Sequence, residues 1–194
     1  MKTLILNVLR RMAASRGYEL IVSPRGTGHL VGEISDGEAE FLAGIAGNLE
    51  GEGPIIEIGT HLGKSTCILA EHKERDRELI TVDNYSWNSL GMSRELFHLF
   101  TSRILTIGVR SLNVTQVDME KDRFYATYDG PVPAMIFLDA DHSYEATRDD
   151  LAWARRTGCS VICGHDHRPE HPGVIQAVEE CGGPSKLVET VFVL

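Results

Sequence analysis

The chain is poor in cysteine, in aromatic residues and in basic charge, and it has no long apolar run. Its four cysteines, Cys67, Cys159, Cys163 and Cys181, lack Cys-x-x-Cys spacing and sit in or beside apolar stretches. A zinc framework or disulfide network is therefore not expected, and buried free thiols are. The 19 Lys and Arg residues stand against 28 Asp and Glu, a formal net charge of −9. That balance opposes a nucleic-acid partner, whose phosphates are neutralised by basic side chains, and favours a small-molecule substrate. No run of 18 apolar residues is present, so no membrane span is expected. Arg10 and Arg11 interrupt the first apolar run too early for a secretory signal, and the expected location is the cytoplasm. Internal repeats and low-complexity segments are absent.

What is there reads as one domain of 194 residues, with 1–50 as an N-terminal helical and strand extension and 51–194 as the core. Residues 1–17 carry Leu4, Ile5, Val8, Leu9 and Met12 at helical spacing; 18–23 read as a short strand and 24–33 as a loop. A helix is predicted from Asp36, with acids in its first turn where the helix dipole favours them. Short apolar runs then alternate with helical patterns. Strands are predicted at 54–59, 79–83, 113–118, 134–139 and 160–166, helices at about 63–75, 90–103, 143–157 and 173–181, and the tail "KLVETVFVL" offers one strand or a minimal hairpin. Apolar strands alternating with helices predict an α/β fold, a doubly wound, mostly parallel sheet covered on both faces. Ligands of such sheets bind at the carboxyl ends of the strands. Here those ends carry Glu57 and Gly59, Asp83, Asp118, Asp139, and His165 with Asp166.

The stretch "EIGTHLGKSTCILA" places Gly59 and Gly63 between a strand and a helix, with Ser65 and Thr66 in the first helical turn. Glycine lets the chain turn sharply and lets a ligand approach the backbone, while the free amides of a helix start attract carboxylate or phosphate. A phosphate loop would need a glycine at position 58, which is Ile, and a dinucleotide loop would need GxGxxG. The pattern here is ExGxxxGxS. Asp83 closes the second strand where nucleotide sites place an acid on ribose hydroxyls. Asp118 closes the third and could meet an adenine amino group or cap the next helix. Trp87 could stack on adenine or pack under a helix, and Asp141 with Ser143 could cap the helix that they precede.

Two apolar runs end abruptly in acids and histidines: "MIFLDADHSYE" and "VICGHDHRPEHPGV". Asp139 and Asp166 end neighbouring strands in the expected order, so both would project at one rim. Two hard oxygen ligands suit Mg²⁺, and a divalent cation lowers the pKa of a bound hydroxyl. His142, three residues after Asp139, could take the proton. His167 and His171 read as loop residues at the rim.

Taken in order, ExGxxxGxS, the acid after the second strand, "LDADHSYE" and "CGHDH…HPGV" resemble the class I S-adenosylmethionine-dependent methyltransferases, over about residues 50–182. The nearer likeness is to the branch of small-molecule and sugar O-methyltransferases. The resemblance implies a Rossmann-like fold and S-adenosylmethionine as cofactor. Glu57, Gly59, Gly63 and Ser65 would then lie around its methionine part, Asp83 at the ribose and Asp118 on the adenine side. It also implies metal ligands at Asp139, His165 and Asp166, with His142 as base and Mg²⁺ or another divalent cation assisting methyl transfer to a hydroxyl. Members of that branch carry two acids where this chain has His165 and Asp166, a change that leaves two alternatives, a preference for a transition metal or a site without metal. Family habit adds a homodimer. Two rival readings stand beside this one: a metal-dependent hydrolase, on the likeness of "DADH" and "GHDH" to metal signatures, and a non-catalytic binding module of the same fold.

Overall fold

A computed structural model describes residues 32–109 and 112–194. The helix, strand and loop expected over 1–31 lie outside the described residues. Within them the chain alternates: α1 (Asp36–Gly47), β1 (Ile55–Ile58), α2 (Lys64–His72), β2 (Leu79–Asp83), α3 (Arg94–Gly108), β3 (Val114–Asp118), α4 (Lys121–Thr127), β4 (Met135–Leu138), α5 (Tyr144–Arg156), β5 (Ile162–Gly164), α6 (Pro172–Glu180), β6 (Lys186–Val188) and β7 (Val191–Val193). The seven strands form one sheet in the order β3-β2-β1-β4-β5-β7-β6. The first five are parallel to their neighbours, and β7 runs antiparallel to both β5 and β6.

The central strands are buried on both faces, which is why they read as continuous apolar runs. In β1, Ile55 joins a core shared with α1, α2 and α3 on one face, while Ile56 and Ile58 join a core shared with α4, α5 and α6 on the other. Burying each such side chain contributes about 1.5–3 kcal/mol. Several helix starts are written locally. Ser35 and Glu38 form a capping box on α1, Ser93 and Ser143 cap α3 and α5, and Pro172 opens α6.

Two findings differ from the sequence reading, and a third selects the hairpin from the two forms offered for the tail. Helix α4 was anticipated only as an unplaced helix after Asp118; its seven residues bury Phe124 alone, and it is held by Tyr125 stacked on Trp153 of α5 at 4.2 Å and by the Lys121–Asp150 ion pair. The helix predicted at about 90–103 starts and ends later, at Arg94–Gly108. The tail is a hairpin whose second strand inserts beside β5, pairing Gly164 with Phe192. Among the described residues no helix is long and apolar enough to cross a membrane.

Candidate active site

Parallel β1, β2, β4 and β5 deliver their carboxyl ends to one rim, where a cavity of about 510 Å³ opens. That volume suits a small ligand. One wall is the glycine turn. Gly59 sits at φ +99°, and a Cβ there would lie 1.9 Å from the Asp139 carbonyl oxygen, so the ends of β1 and β4 touch only because no side chain intervenes. Gly63, also left-handed at φ +78°, starts α2 without any side-chain cap. The first amides of α2 are thereby left for a ligand, and Ser65 lines the cavity beside them. Lys64 donates to Ile34 O at 2.5 Å, which ties it to the segment before α1.

Asp83 lines the cavity and clamps its wall. Its Oδ2 accepts from the amides of Thr60 (2.9 Å) and His61 (2.8 Å), and Oδ1 accepts from the amide of Tyr85 (2.7 Å). These amides fix two residues in left-handed backbone, His61 at φ +45° and Tyr85 at φ +54°. With three of about four acceptor positions in use, roughly one remains for a ligand hydroxyl.

Glu57 lies beneath the turn and is fully buried, outside the cavity lining expected of it. Its Oε2 accepts from Thr66 Oγ1 (2.5 Å) and Thr81 Oγ1 (2.6 Å), bracing α2 against β1 and β2, and burial pushes its carboxyl up to about 7. Asp118 does not cap α4 and is not among the residues that line the cavity. It faces Arg94, with which it pairs, and His98 Nδ1 at 3.6 Å, while Met119 and Glu120 take the cavity wall. The cap position of α4 belongs to Glu120. Trp87 stands at the rim, 66% exposed, against the His61 ring at 5.3 Å.

The opposite wall gathers Asp139, His142 and Asp166, with His165 behind them. His142 Nε2 lies 3.1 Å from Asp166 Oδ2 and 3.7 Å from Asp139 Oδ1. His165 Nδ1 lies 3.5 Å from Asp139 Oδ1 and 3.4 Å from Asp166 Oδ2. Asp166 adopts left-handed backbone at φ +62°, a strained conformation for a residue with a side chain, and is only 1% exposed. Burial would raise the carboxyl of Asp139, but His142 and His165 overcome it and hold it at about 2. Burial likewise opposes a charge on His165, and the two carboxylates outweigh it, pushing the ring up to about 11. His142 is raised, chiefly by its contact with Asp139.

Ligand atoms of Asp139, His165 and Asp166 lie within 4.8 Å of one another, and the same holds for His142, Asp166 and His171. Most of the histidine–carboxylate separations exceed hydrogen-bond length, as expected of groups arrayed about a shared centre. The donors therefore fit a divalent cation with mixed nitrogen and oxygen ligands. Three neighbours were not assigned to this cluster from the sequence. Arg168 Nη2 is 2.7 Å from Asp166 Oδ1, His171 Nε2 is 3.8 Å from the same oxygen with its ring 4.4 Å from His142, and Glu38 Oε1 is 3.4 Å from His165 Nε2. The proximity of "HRPEH" to Asp166 was the available signal for the first two. Asp141 Oδ1 accepts from the amide of Ser143 (2.7 Å), the structural role expected of it, and Tyr144 donates to Glu180 Oε2 (2.7 Å), bridging α5 and α6.

The family profile described as a methyltransferase domain matches residues 56–167, more than half of the chain. No curated protein matches the chain in sequence. Among solved structures, the cofactor-bound Rv0187 protein from MTB is similar with a TM-score of 0.63, at 19% identity, over 77% of this chain and 69% of that one. An O-methyltransferase from Bacillus cereus in complex with SAH is similar at 0.61, with 17% identity over 80% and 73%. The O-methyltransferase TomG from Streptomyces achromogenes, involved in tomaymycin synthesis and in complex with SAM, is similar at 0.56, with 20% identity over 90% and 74%. These likenesses establish the class I methyltransferase fold.

Proposed function

This chain belongs to the methyltransferase domain family, and on that footing we propose that it transfers the methyl group of S-adenosylmethionine to a hydroxyl oxygen of a small molecule, assisted by a divalent cation. One observation carries the reading: the glycine-turn wall and the cluster of Asp139, His142 and Asp166 face each other across a single cavity. The open start of α2 and Ser65 suit the carboxylate of a methionine moiety, and Asp83 suits a ribose hydroxyl. The donor's reactive methyl would then lie toward Asp139. His142 stands where it can take the hydroxyl proton as the carbon–oxygen bond forms and the carbon–sulfur bond breaks, leaving S-adenosylhomocysteine. Asp139, His165 and Asp166 would hold the cation, which when bound lowers the pKa of the acceptor hydroxyl. The imidazole of His165 among those ligands favours a first-row transition metal over Mg²⁺.

Isothermal titration with S-adenosylhomocysteine, with and without divalent metal, tests the cofactor half. Binding in the micromolar range that is lost in Asp83→Ala is expected. Absence of binding under either condition would overturn the reading.

A further inference from the structure

Glu38 is an acid that helix α1 should not need to bury. It is 3% exposed, and its two oxygens are divided between two tasks. Oε2 accepts from the amide of Ser35 (2.9 Å), completing the capping box. Oε1 accepts from both the amide (3.0 Å) and the hydroxyl (2.6 Å) of Thr190, in the turn between β6 and β7, and faces His165 Nε2 at 3.4 Å. That nitrogen is buried and has no hydrogen-bond partner of its own. His165 is thus bracketed, with one ring nitrogen toward Glu38 and the other toward Asp139 and Asp166.

An ionised carboxylate only accepts hydrogen bonds. Three donors already converge on Glu38, and the fourth group in reach is His165 Nε2, which satisfies the carboxylate only by carrying hydrogen. With hydrogen held on Nε2 by Glu38, Nδ1, which faces the two aspartates, is the nitrogen left to exchange its proton for a cation between them. Histidine ligands characteristically have their second nitrogen held in this way by a carboxylate or carbonyl, which fixes both tautomer and ring angle.

We infer that Glu38 is a positioning residue of the cation site: it holds His165 through Nε2–H so that Nδ1 is turned inward as a ligand, and it ties that orientation to the docking of α1 on the β6–β7 turn. The inference rests on the proposed cation site and adds to it a residue from outside the segment that the family profile matches.

The test is Mn²⁺ titration of the full chain, followed by the paramagnetic resonance signal of the free ion, with S-adenosylhomocysteine affinity measured in parallel. Glu38→Gln keeps a residue competent for the capping box, but its single carbonyl oxygen cannot serve Ser35 and the His165 side together. If the amide group turns to His165, it donates where a donor already stands, and the ring swaps tautomer. The expected result is Mn²⁺ binding weakened about 10- to 100-fold with cofactor affinity unchanged. Thr190→Val separates positioning from anchoring, since it loosens the same junction while keeping the carboxylate; its Mn²⁺ affinity should stay within about threefold of wild type. Glu38→Gln binding Mn²⁺ as wild type does would overturn the inference alone, as would Thr190→Val weakening it equally. Wild type that takes up no Mn²⁺ would overturn the cation reading and this inference with it.

Discussion

Asp139 faces two imidazoles and a second carboxylate, and that crowding sets how individual residues respond to protons. His142 can act as a base only when neutral, yet Asp139 holds its proton on beyond the ordinary histidine value of 6.5. The acceptor-saturated rate should therefore climb with pH through 6.5 and level off only above it. His142→Ala should lower turnover about 10²- to 10⁴-fold, in single-turnover assays, while leaving S-adenosylhomocysteine affinity nearly unchanged. Glu57 gives a stability effect instead. Its folded value of about 7 lies above 4.5, so between those pH values the folded state keeps a proton that the unfolded chain has released. Raising pH across that window should destabilise the protein by about 1.4 kcal/mol per unit, to a total of about 3 kcal/mol. Urea unfolding of Glu57→Gln at intervals from pH 4.5 to 7.5 should lack that share of the slope; an identical slope in both proteins would remove Glu57 as its source. These residues were legible as strand-end acids. Their partners were not, because a strand end reveals an edge and not a direction: Asp118 turned out to meet Arg94 and His98, and Glu57 to meet two threonine hydroxyls.

At the scale of elements, β1, β4 and β5 could be read because burial leaves a near-continuous apolar run, α1 because acids open its first turn, and α5 because Ser143 marks its start, whereas the part-buried edge strand β3 carries a weaker signal. Helix α4 could not be placed, since seven residues with one buried apolar side chain show no periodicity. Gly173 illustrates what packing adds. In the first turn of α6, a Cβ would fall 2.5 Å from the Tyr144 amide nitrogen and 2.9 Å from the His142 carbonyl oxygen. The helix can lie against the loop that holds His142 only without a side chain there. Gly173→Ala should push the two apart, lowering turnover more than tenfold at a stability cost of about 1–3 kcal/mol, read from activity and thermal unfolding together. Activity at wild-type level would show that the loop tolerates the shift.

For the whole molecule, the order β3-β2-β1-β4-β5-β7-β6 divides the rim: the glycine-turn wall comes from β1 and β2, and the acid–histidine wall from β4 and β5. That division was visible in the sequence, because each half is compact in chain order. What closes the second wall was not, since Glu38 and Thr190 stand 152 positions apart and no local pattern links them. The same separation carries a kinetic consequence. Asp83 reaches the Thr60 and His61 amides across only 23 and 22 positions, so the glycine-turn wall closes a short loop, whereas the brace behind His165 spans 152 and closes at a greater entropic cost. Refolding from urea should restore S-adenosylhomocysteine binding in an earlier phase than Mn²⁺ uptake, and stopped-flow traces with equal rates for the two would contradict this. A molecule caught between those phases would grip the methyl donor before it could activate an acceptor.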